Sequence, residues 1–247
     1  MLYELSNTGV SCPFCYWKGS CFLPAGQKNI PNRRCPECHS LERHRLCFPH
    51  LVSYLNRMKQ AKILEVGKSN CFSVFFSRFK GWSYLSVGKR SDNDLLADIE
   101  HMPFPSESFD VILCFHVLEH VDNDQVALSE LYRLLKQDGV LYVQIPMCKG
   151  ETIEGAWLSP ARRTELFGQV DHLRLYGIDI NERFEKASFQ VCEWPSHFLA
   201  DSRLKTEWRL RDNQSCFVLY KEENNFVHNY PLEFPTNEPK VNDARKV

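Results

Sequence analysis

The sequence lacks any apolar run of about 18 residues, the length that a membrane-crossing helix needs. It also lacks a charged N-terminal stretch followed by an apolar one, the pattern of a secretory signal. Its eleven cysteines are odd in number and scattered, which argues against a disulfide framework. These absences predict a soluble protein in a reducing, cytoplasmic compartment, with no membrane partner.

The chain also lacks a strong excess of charge, because its 247 residues carry a formal net charge of −1. With 43% hydrophobic residues, it has enough apolar side chains for an ordinary core. The charge is unevenly distributed: residues 1–62 contain nine Lys and Arg against three Asp and Glu. This basic part leaves two interpretations open, a solvated face or a surface for an acidic partner such as RNA.

The N-terminal part contains two CxxC pairs, Cys12/Cys15 and Cys35/Cys38, with nineteen residues between them. Each pair aims two sulfurs at one point, and two pairs complete the tetrahedral S₄ shell that zinc accepts. Because four thiolates leave no open position for water, we predict a structural zinc ion in a small ribbon whose folding depends on the metal. Four nearby residues are weaker ligand candidates: Cys21, Cys47, His39 and His44.

The segment Ser40–Arg45, with the sequence SLERHR, follows the second pair and leads into a helical stretch through about Met58. It either binds phosphate or an acidic partner or forms the surface of the linking helix, and we favour the second interpretation. The aromatic residues of the ribbon, Tyr16, Trp17 and Phe22, are expected to form its small core rather than to stack on bases.

From Lys62 onward, strand-like and helix-like segments alternate, the pattern of a doubly wound α/β sheet. An amphipathic helix is predicted over 123–135, with five apolar residues buried. These are Val126, Leu128, Leu131, Leu134 and Leu135. A second helix is predicted over 72–79. Strands are predicted over 62–66, 82–87, 110–115 and 140–145, with an antiparallel closing pair over 189–194 and 215–220.

Four runs carry a family resemblance: ADIEHMPFP from Ala97, SFDVI from Ser108, HVLEHV from His116 and ELYRLLK from Glu130. They resemble class I S-adenosylmethionine-dependent methyltransferases, in particular the group typified by ubiquinone- and biotin-pathway enzymes. The resemblance covers about residues 60–220 and implies a Rossmann-like, seven-stranded α/β sheet with S-adenosyl-L-methionine as cofactor. More narrowly, SLERHR and the later run FGQxDHxRxYG resemble methyltransferase-like proteins with a fused zinc ribbon.

Ligands of such folds bind at the carboxyl ends of the parallel strands. The resemblance places Asp98 at the position of the acid that contacts adenine. Two departures are visible: the first loop has a single glycine, and a glycine followed by Lys89 and Arg90 replaces the usual ribose acid. The cofactor-binding residues implied are Glu65, Gly67, Gly88, Asp98, Ile99 and His116.

His116 follows the fourth strand, where the fold brings an acceptor to the methyl group, and is the leading candidate for a general base. Glu119 and His120 fit helix capping and packing better than catalysis. In the insertion, Asp171 is expected to orient His172 as a second catalytic candidate. Arg174 and Tyr176 would then point to the same side, although a salt-bridged loop that closes over the sheet explains this segment equally well.

We therefore predict a zinc ribbon over 1–45, a linking helix over 46–61 and a methyltransferase-like domain over 62–222. The last contains a substrate-side insertion over 147–188, and an extended or disordered tail follows over 223–247. The predicted activity is methyl transfer to an unknown small-molecule, protein or RNA acceptor. Two alternatives are a catalytically weak methyltransferase fold that acts as a zinc-dependent binding module, and an RNA methyltransferase that uses the basic ribbon.

Overall fold

The computed structural model describes residues 9–195, 202–212 and 214–221, and the predicted tail lies outside them. The described residues form thirteen strands, six α-helices and one 3₁₀ helix, Leu118–His120. The helices are α1 Glu42–Leu55, α2 Asn70–Phe76, α3 Asp124–Leu134, α4 Pro160–Phe167, α5 Ile180–Lys186 and α6 Ser202–Glu207. The strands are β1 Val10–Ser11, β2 Lys18–Gly19, β3 Leu23–Ala25, β4 Ile30–Arg34, β5 Ala61–Val66, β6 Trp82–Gly88, β7 Leu95–Leu96, β8 Phe109–Phe115, β9 Leu135–Gln144, β10 Ile153–Glu154, β11 Arg174–Leu175, β12 Gln190–Pro195 and β13 Ser215–Tyr220.

Seven strands form the main sheet, in the order β12-β13-β9-β8-β5-β6-β7. Strands β9, β8, β5, β6 and β7 pair in parallel, whereas β13 is antiparallel to both of its neighbours. The predicted seven-stranded sheet with a closing antiparallel pair is therefore confirmed. Strand order reverses between β5 and β8, and that reversal is where ligands of doubly wound sheets bind.

Continuous apolar runs place β5 and β8 at the centre of the sheet. Ile63, Leu64, Val111 and Ile112 are each at most 1% exposed, as expected for strands covered on both faces. Helix α3 begins after Asn123, whose side chain accepts hydrogen bonds from the backbone N–H groups of two residues in the first turn. The burial predicted for Val126 on this helix is wrong, since 38% of that residue is exposed.

The ribbon, made of the β1–β2 and β3–β4 hairpins, shares its apolar core with the main sheet. The Phe14 ring lies 5.0 Å from the Phe48 ring of α1 and 5.2 Å from the Phe72 ring of α2. Phe22 and Trp17 pack together, 5.6 Å apart, as predicted for a ribbon core. Tyr16, by contrast, is 37% exposed, so its predicted place in that core is wrong.

Helix α1 begins at Glu42, inside the SLERHR segment, rather than near residue 46. Ser40, Glu42, His44 and Arg45 are all buried, so neither a phosphate-binding surface nor a solvated helix face describes them. The reason is local pairing: Arg45 donates to the carbonyl oxygens of Ser40, Arg33 and Trp208. A charged side chain can be buried when each of its donors has an acceptor, and a sequence pattern does not reveal such acceptors.

Part of the insertion packs against the 3₁₀ helix that follows β8. Strands β10 and β11 pair antiparallel, and Arg174 of β11 donates to the carbonyl oxygens of Leu118, Val121 and Asp122. The Tyr176 hydroxyl donates to the same Leu118 oxygen. The two side chains therefore point to one side, in the salt-bridged loop that was the alternative to a catalytic role. Across the described residues, every helix is too short or too polar to cross a lipid bilayer.

Candidate active site

The four ribbon cysteines converge at one point. The Sγ atoms of Cys12 and Cys38 are 3.4 Å apart, those of Cys15 and Cys35 are 3.5 Å apart, and all four lie within 4.8 Å of one another. Sulfurs bound tetrahedrally to zinc at 2.3 Å would be about 3.8 Å apart, so the group fits that ion. The weaker ligand candidates, Cys21, Cys47, His39 and His44, all lie outside this group of four cysteines. Cys21 is exposed, Cys47 donates to a backbone carbonyl, and His44 accepts from the Leu41 N–H.

The loop after β5 adopts the conformation that its single glycine allows. Gly67 has φ +80°, and a Cβ there would lie 3.2 Å from Val117 Cγ2. A larger residue would therefore be strained in its backbone and crowded as well. The next residue, Lys68, is held by Asn93, whose side-chain oxygen accepts from the Lys68 N–H at 3.0 Å. The loop is thus fixed against the turn that follows β6.

Glu65, the last residue but one of β5, is a buried carboxyl group only 1% exposed. One of its oxygens accepts from the Tyr84 hydroxyl, and its Oε1 has no hydrogen-bond partner among the described residues. Burial raises the pKa of Glu65 from 4.5 to about 7, although Ser69 and Tyr84 act in the opposite direction. Glu65 thus combines a pKa raised by burial with one oxygen, Oε1, that lies outside the bond to Tyr84.

Gly88 ends β6, and Asp98 lies two residues after β7. These are the positions at which the resemblance implies contacts with the ribose and the adenine of the cofactor. A Cβ on Gly88 would lie 3.0 Å from Asn93 Nδ2, so the Asn93 amide occupies the space that a ribose-binding acid would need. The Asp98 side chain is 42% exposed and pairs with Lys89 Nζ at 3.0 Å, which lowers the pKa of this carboxyl. The neighbouring Ile99 is buried. Lys89 pairs with one Asp98 oxygen, and the other accepts from the Glu100 N–H at 3.1 Å.

His116 follows β8 in an unusual backbone conformation, with φ +56°. Its N–H donates to the carbonyl oxygen of Gln144 at 2.8 Å, and this bond ties the end of β8 to the end of β9. Its Nδ1 lies 3.1 Å from Oε1 of Glu119, which has no exposed surface. Positive φ in a non-glycine residue costs energy and is concentrated at functional sites. Glu119 thus orients His116, a relationship that the capping interpretation missed.

The predicted pairing of Asp171 with His172 is wrong. Asp171 Oδ2 instead lies 3.3 Å from Nδ1 of His120, whose ring makes an edge contact with the His172 ring at 4.7 Å. His172 is 3% exposed and neither ring nitrogen has a hydrogen-bond partner among the described residues, while burial lowers its pKa. Glu119, His120 and His172 offer three ligand atoms within 4.8 Å of one another.

A cavity of about 780 Å³ opens beside His116 at the carboxyl ends of β8 and β9. Gln144, a residue 2% exposed, lines it with a side-chain amide that has no partner among the described residues. His172 and His120 are not among its lining residues. The lining consists of Arg43, His116, Gln144, Ile145, Pro146, Met147, Glu193, Arg211, Asp212, Gln214, Ser215 and Phe217.

Sequence reasoning missed Arg43 and Gln144. A signal existed for Gln144, because it is a polar residue inside the apolar run 140–145. No pattern singled out Arg43 within the basic segment around it. The other predicted cofactor residues follow neighbouring parallel strands, so the topology brings Glu65, Gly88 and His116 to one edge of the sheet.

A family model described as a methyltransferase domain matches residues 85–143. An uncharacterised protein of Methanocaldococcus jannaschii is 33% identical over 110 residues, which cover 40% of this chain and 48% of that protein. A probable S-adenosylmethionine-dependent methyltransferase of Mycolicibacterium smegmatis is 33% identical over 100 residues, covering 38% of this chain and 35% of its own. The chain thus spans less than half the length of these curated relatives.

Among solved structures, the carbon methyltransferase CurJ superposes with a TM-score of 0.51 at 15% identity. The match covers 72% of this chain and 54% of that one. At this identity the likeness concerns the fold.

Proposed function

We propose that this chain, which carries a class I methyltransferase domain, transfers the methyl group of S-adenosylmethionine to an acceptor in the 780 Å³ cavity. The observation that carries the proposal is the position of His116. His116 lies at the carboxyl ends of the parallel strands, as do Glu65 and Gly88, two residues implied in cofactor binding. It also lines the cavity. One residue thus connects the methyl donor site with a space of the size that holds a small molecule.

The residues at this edge fit the cofactor in part. Glu65 Oε1 is a buried acceptor without a partner, suited to the ammonium group of the cofactor. Gly67 leaves room for close approach, Asp98 and Ile99 would contact adenine, and Gly88 offers only its backbone. When bound, the cofactor supplies an electrophilic methyl group on a sulfonium sulfur.

The protein's part in the reaction is to position the acceptor and to take up a proton where the acceptor must lose one. With Nδ1–H donated to Glu119, the Nε2 atom of His116 is left as a proton acceptor. His172 packs against His120 and beside Glu119, so we give it a positioning role for the Glu119–His116 pair instead of direct proton transfer.

The ribbon holds a structural zinc ion through Cys12, Cys15, Cys35 and Cys38. The Ser40 hydroxyl lies 3.1 Å from the Cys12 sulfur, and the Cys35 N–H donates to the Ser40 carbonyl oxygen. The metal site is therefore joined to the start of α1. Zinc would fix the orientation of this helix against the sheet.

The alternative of a zinc-dependent binding module is favoured by two features that would weaken cofactor binding. The Asn93 side chain lies beside Gly88, where a ribose-binding acid would need space, and Lys89 pairs with Asp98. The RNA alternative draws on the six exposed basic residues of the N-terminal part, Lys18, Lys28, Arg34, Arg57, Lys59 and Lys62, whereas the other three are partly or fully buried. Arg45 is buried, and Arg33 pairs with Glu42.

Calorimetric titration with S-adenosylhomocysteine tests the proposal directly. We expect the wild-type chain to bind this ligand and Asp98→Ala to bind it more weakly. Arg90→Ala, a separate variant near the end of β6, is the control and should bind like the wild type. The absence of binding at millimolar ligand in a folded chain would contradict methyl transfer and favour the interaction module.

A further inference from the structure

Arg43 differs from the other polar residues of the segment Ser40–Arg45. Glu42 is paired with Arg33, His44 accepts a backbone hydrogen bond, and Arg45 has acceptors for its guanidinium. Arg43 lines the cavity, and none of the described residues accepts a hydrogen bond from it or forms an ion pair with it. Its position in the first turn of α1 therefore places this cation at the wall of the cavity, with Glu42 and Glu119 near enough to favour its charged form.

Such a cation can bind an anion. A guanidinium has five N–H donors and stays protonated in proteins. Arg43 is partly buried, its Nε is fully enclosed, and burial lowers its pKa. In the adjacent Glu42 carboxyl, Oε1 pairs with Arg33, whereas Oε2 has no hydrogen-bond partner among the described residues. Leaving the buried Nε donor unpaired is costly, so a bound carboxylate or phosphate would stabilise this arrangement.

Gln144 is the second, independent sign of a ligand. Its side chain is almost fully buried, and both its Oε1 and its Nε2 lack partners among the described residues. The residue is fixed in place, because its carbonyl oxygen accepts from the His116 N–H. Buried amides are nearly always hydrogen-bonded in folded proteins, and this one borders the same cavity as Arg43.

The acidic residues of the cavity do not offset Arg43. Glu193 and Asp212 are exposed, and each has another partner: Glu193 accepts from the Ser215 hydroxyl, and Asp212 pairs with Lys205 at 3.0 Å. The deeper wall is apolar, with Phe217 and Ile145 both buried. The lining thus combines the cation of Arg43, the unpaired amide of Gln144 and an apolar wall, together with a second, exposed arginine, Arg211, and the Gln214 amide.

We propose that the methyl acceptor is a small molecule that carries a carboxylate or phosphate group, bound by Arg43 and Gln144 with its nucleophile towards His116. The identification of this ligand as the methyl acceptor rests on the proposed function. The binding of an anion by Arg43 and Gln144 does not depend on methyl transfer. It also gives the ribbon a function, because α1, which carries Arg43, begins two residues after Ser40, whose hydroxyl lies 3.1 Å from the Cys12 sulfur.

The test is calorimetric titration of the full-length chain with inorganic phosphate and, separately, with malonate. The anion that binds more tightly identifies the chemical group. Arg43→Met should weaken that binding about tenfold or more, as expected for loss of a charge-assisted hydrogen bond. Arg43→Lys should keep part of the affinity, since it keeps the charge but loses the planar fork. Gln144→Leu should weaken binding without a change in charge.

Arg163→Met is the matched control, because Arg163 is a partly buried arginine on α4 outside the cavity lining. It should bind both anions like the wild type. Circular dichroism checks that each variant is folded. Unchanged anion affinity in folded Arg43→Met, or no binding of either anion by the wild type, would overturn the proposal.

The donor also carries a carboxylate, so the same variants are titrated with S-adenosylhomocysteine and with methylthioadenosine, which lacks it. We expect Arg43→Met to bind both like the wild type. A loss restricted to S-adenosylhomocysteine would assign Arg43 to the donor and overturn the proposal. If the wild-type chain binds anions but no S-adenosylhomocysteine, the proposed function fails and the anion site remains.

Discussion

The Nδ1 atom of His116 lies 3.1 Å from Oε1 of the fully buried Glu119, three residues along the chain. A buried carboxylate in this position selects the tautomer with the proton on Nδ1 and leaves Nε2 as the acceptor. The pair lies in HVLEHV, where sequence reasoning assigned Glu119 to packing. The His116–Glu119 pair is a carboxyl group that orients an imidazole. That arrangement was predicted for Asp171 and His172, which do not pair.

Replacing Glu119 by glutamine should change the tautomer of His116. The amide N–H of glutamine can donate to Nδ1, which would move the ring proton to Nε2. Nitrogen-15 spectra of the imidazole measure the shift, and activity should fall by roughly 10²- to 10⁴-fold once an acceptor is known. Asp171→Asn, which touches His120 instead, should leave the His116 signals unchanged. Persistence of the Nδ1–H form in Glu119→Gln would remove Glu119 as the orienting group.

Asp98→Ala should weaken S-adenosylhomocysteine binding by about ten- to a hundredfold, because a charged acceptor for the adenine amine is lost. Lys89→Ala should instead strengthen S-adenosylhomocysteine binding, because it frees Asp98 from the 3.0 Å ion pair. The gain should be about fivefold at most, because exposed ion pairs are worth at most about 1 kcal/mol. Titration calorimetry measures both. Equal affinity in Asp98→Ala and the wild type would show that adenine binds elsewhere.

Gly88→Asp alone should improve cofactor binding little. A new Cβ would meet the Asn93 amide at 3.0 Å, and Asn93 also fixes the Lys68 N–H. In the double variant Gly88→Asp/Asn93→Ala, the carboxylate has space and should bind the ribose hydroxyls. A double-mutant cycle on S-adenosylhomocysteine affinity, with Asn93→Ala alone as the reference, should therefore show favourable coupling. An additive result would mean that Asn93 is not the obstacle.

Glu65 should make both stability and cofactor binding depend on pH. Its pKa is raised from 4.5 to about 7 in the folded chain, so the unfolded chain ionises first as pH rises. Relative to Glu65→Gln, the free energy of unfolding of the wild type should fall by about 3 kcal/mol between pH 4.5 and pH 7. Chemical denaturation at several pH values measures this loss.

In the same pH range, S-adenosylhomocysteine affinity should rise, because the ionised carboxyl binds the ammonium group. Tyr84→Phe removes the hydroxyl that favours the ionised form and should move the midpoint to higher pH. Glu65→Gln should be insensitive to pH in this range. A pH profile shared by all three proteins would exclude Glu65 as the group responsible.

Elemental analysis should give one zinc per chain, lost in Cys35→Ser and retained in Cys21→Ser. The second cysteine is an exposed ribbon residue outside the converging group. X-ray absorption should show sulfur neighbours only, at about 2.3 Å. A second metal equivalent with nitrogen or oxygen neighbours, absent from His172→Ala, would instead assign a further site to Glu119, His120 and His172.

Sequence by itself determined the sheet and the cysteine quartet. The apolar runs of β5 and β8 and the CxxC spacing act over a few residues, so they can be read without knowing what lies across the molecule. Tertiary structure alone decided which polar residues meet. Asp171 pairs with His120 rather than with its neighbour His172, and Asn93 fills the space beside Gly88.

The SLERHR segment shows the physical reason most clearly. Its charges suggested a surface, yet Glu42 and Arg45 are buried because Arg33, Ser40 and Trp208 provide partners, one of them 163 positions away. Burial of a charge depends on acceptors that only the folded chain assembles. Arg43, between these two residues, has no such partner among the described residues and lines the cavity instead, a difference that residue type and spacing do not encode.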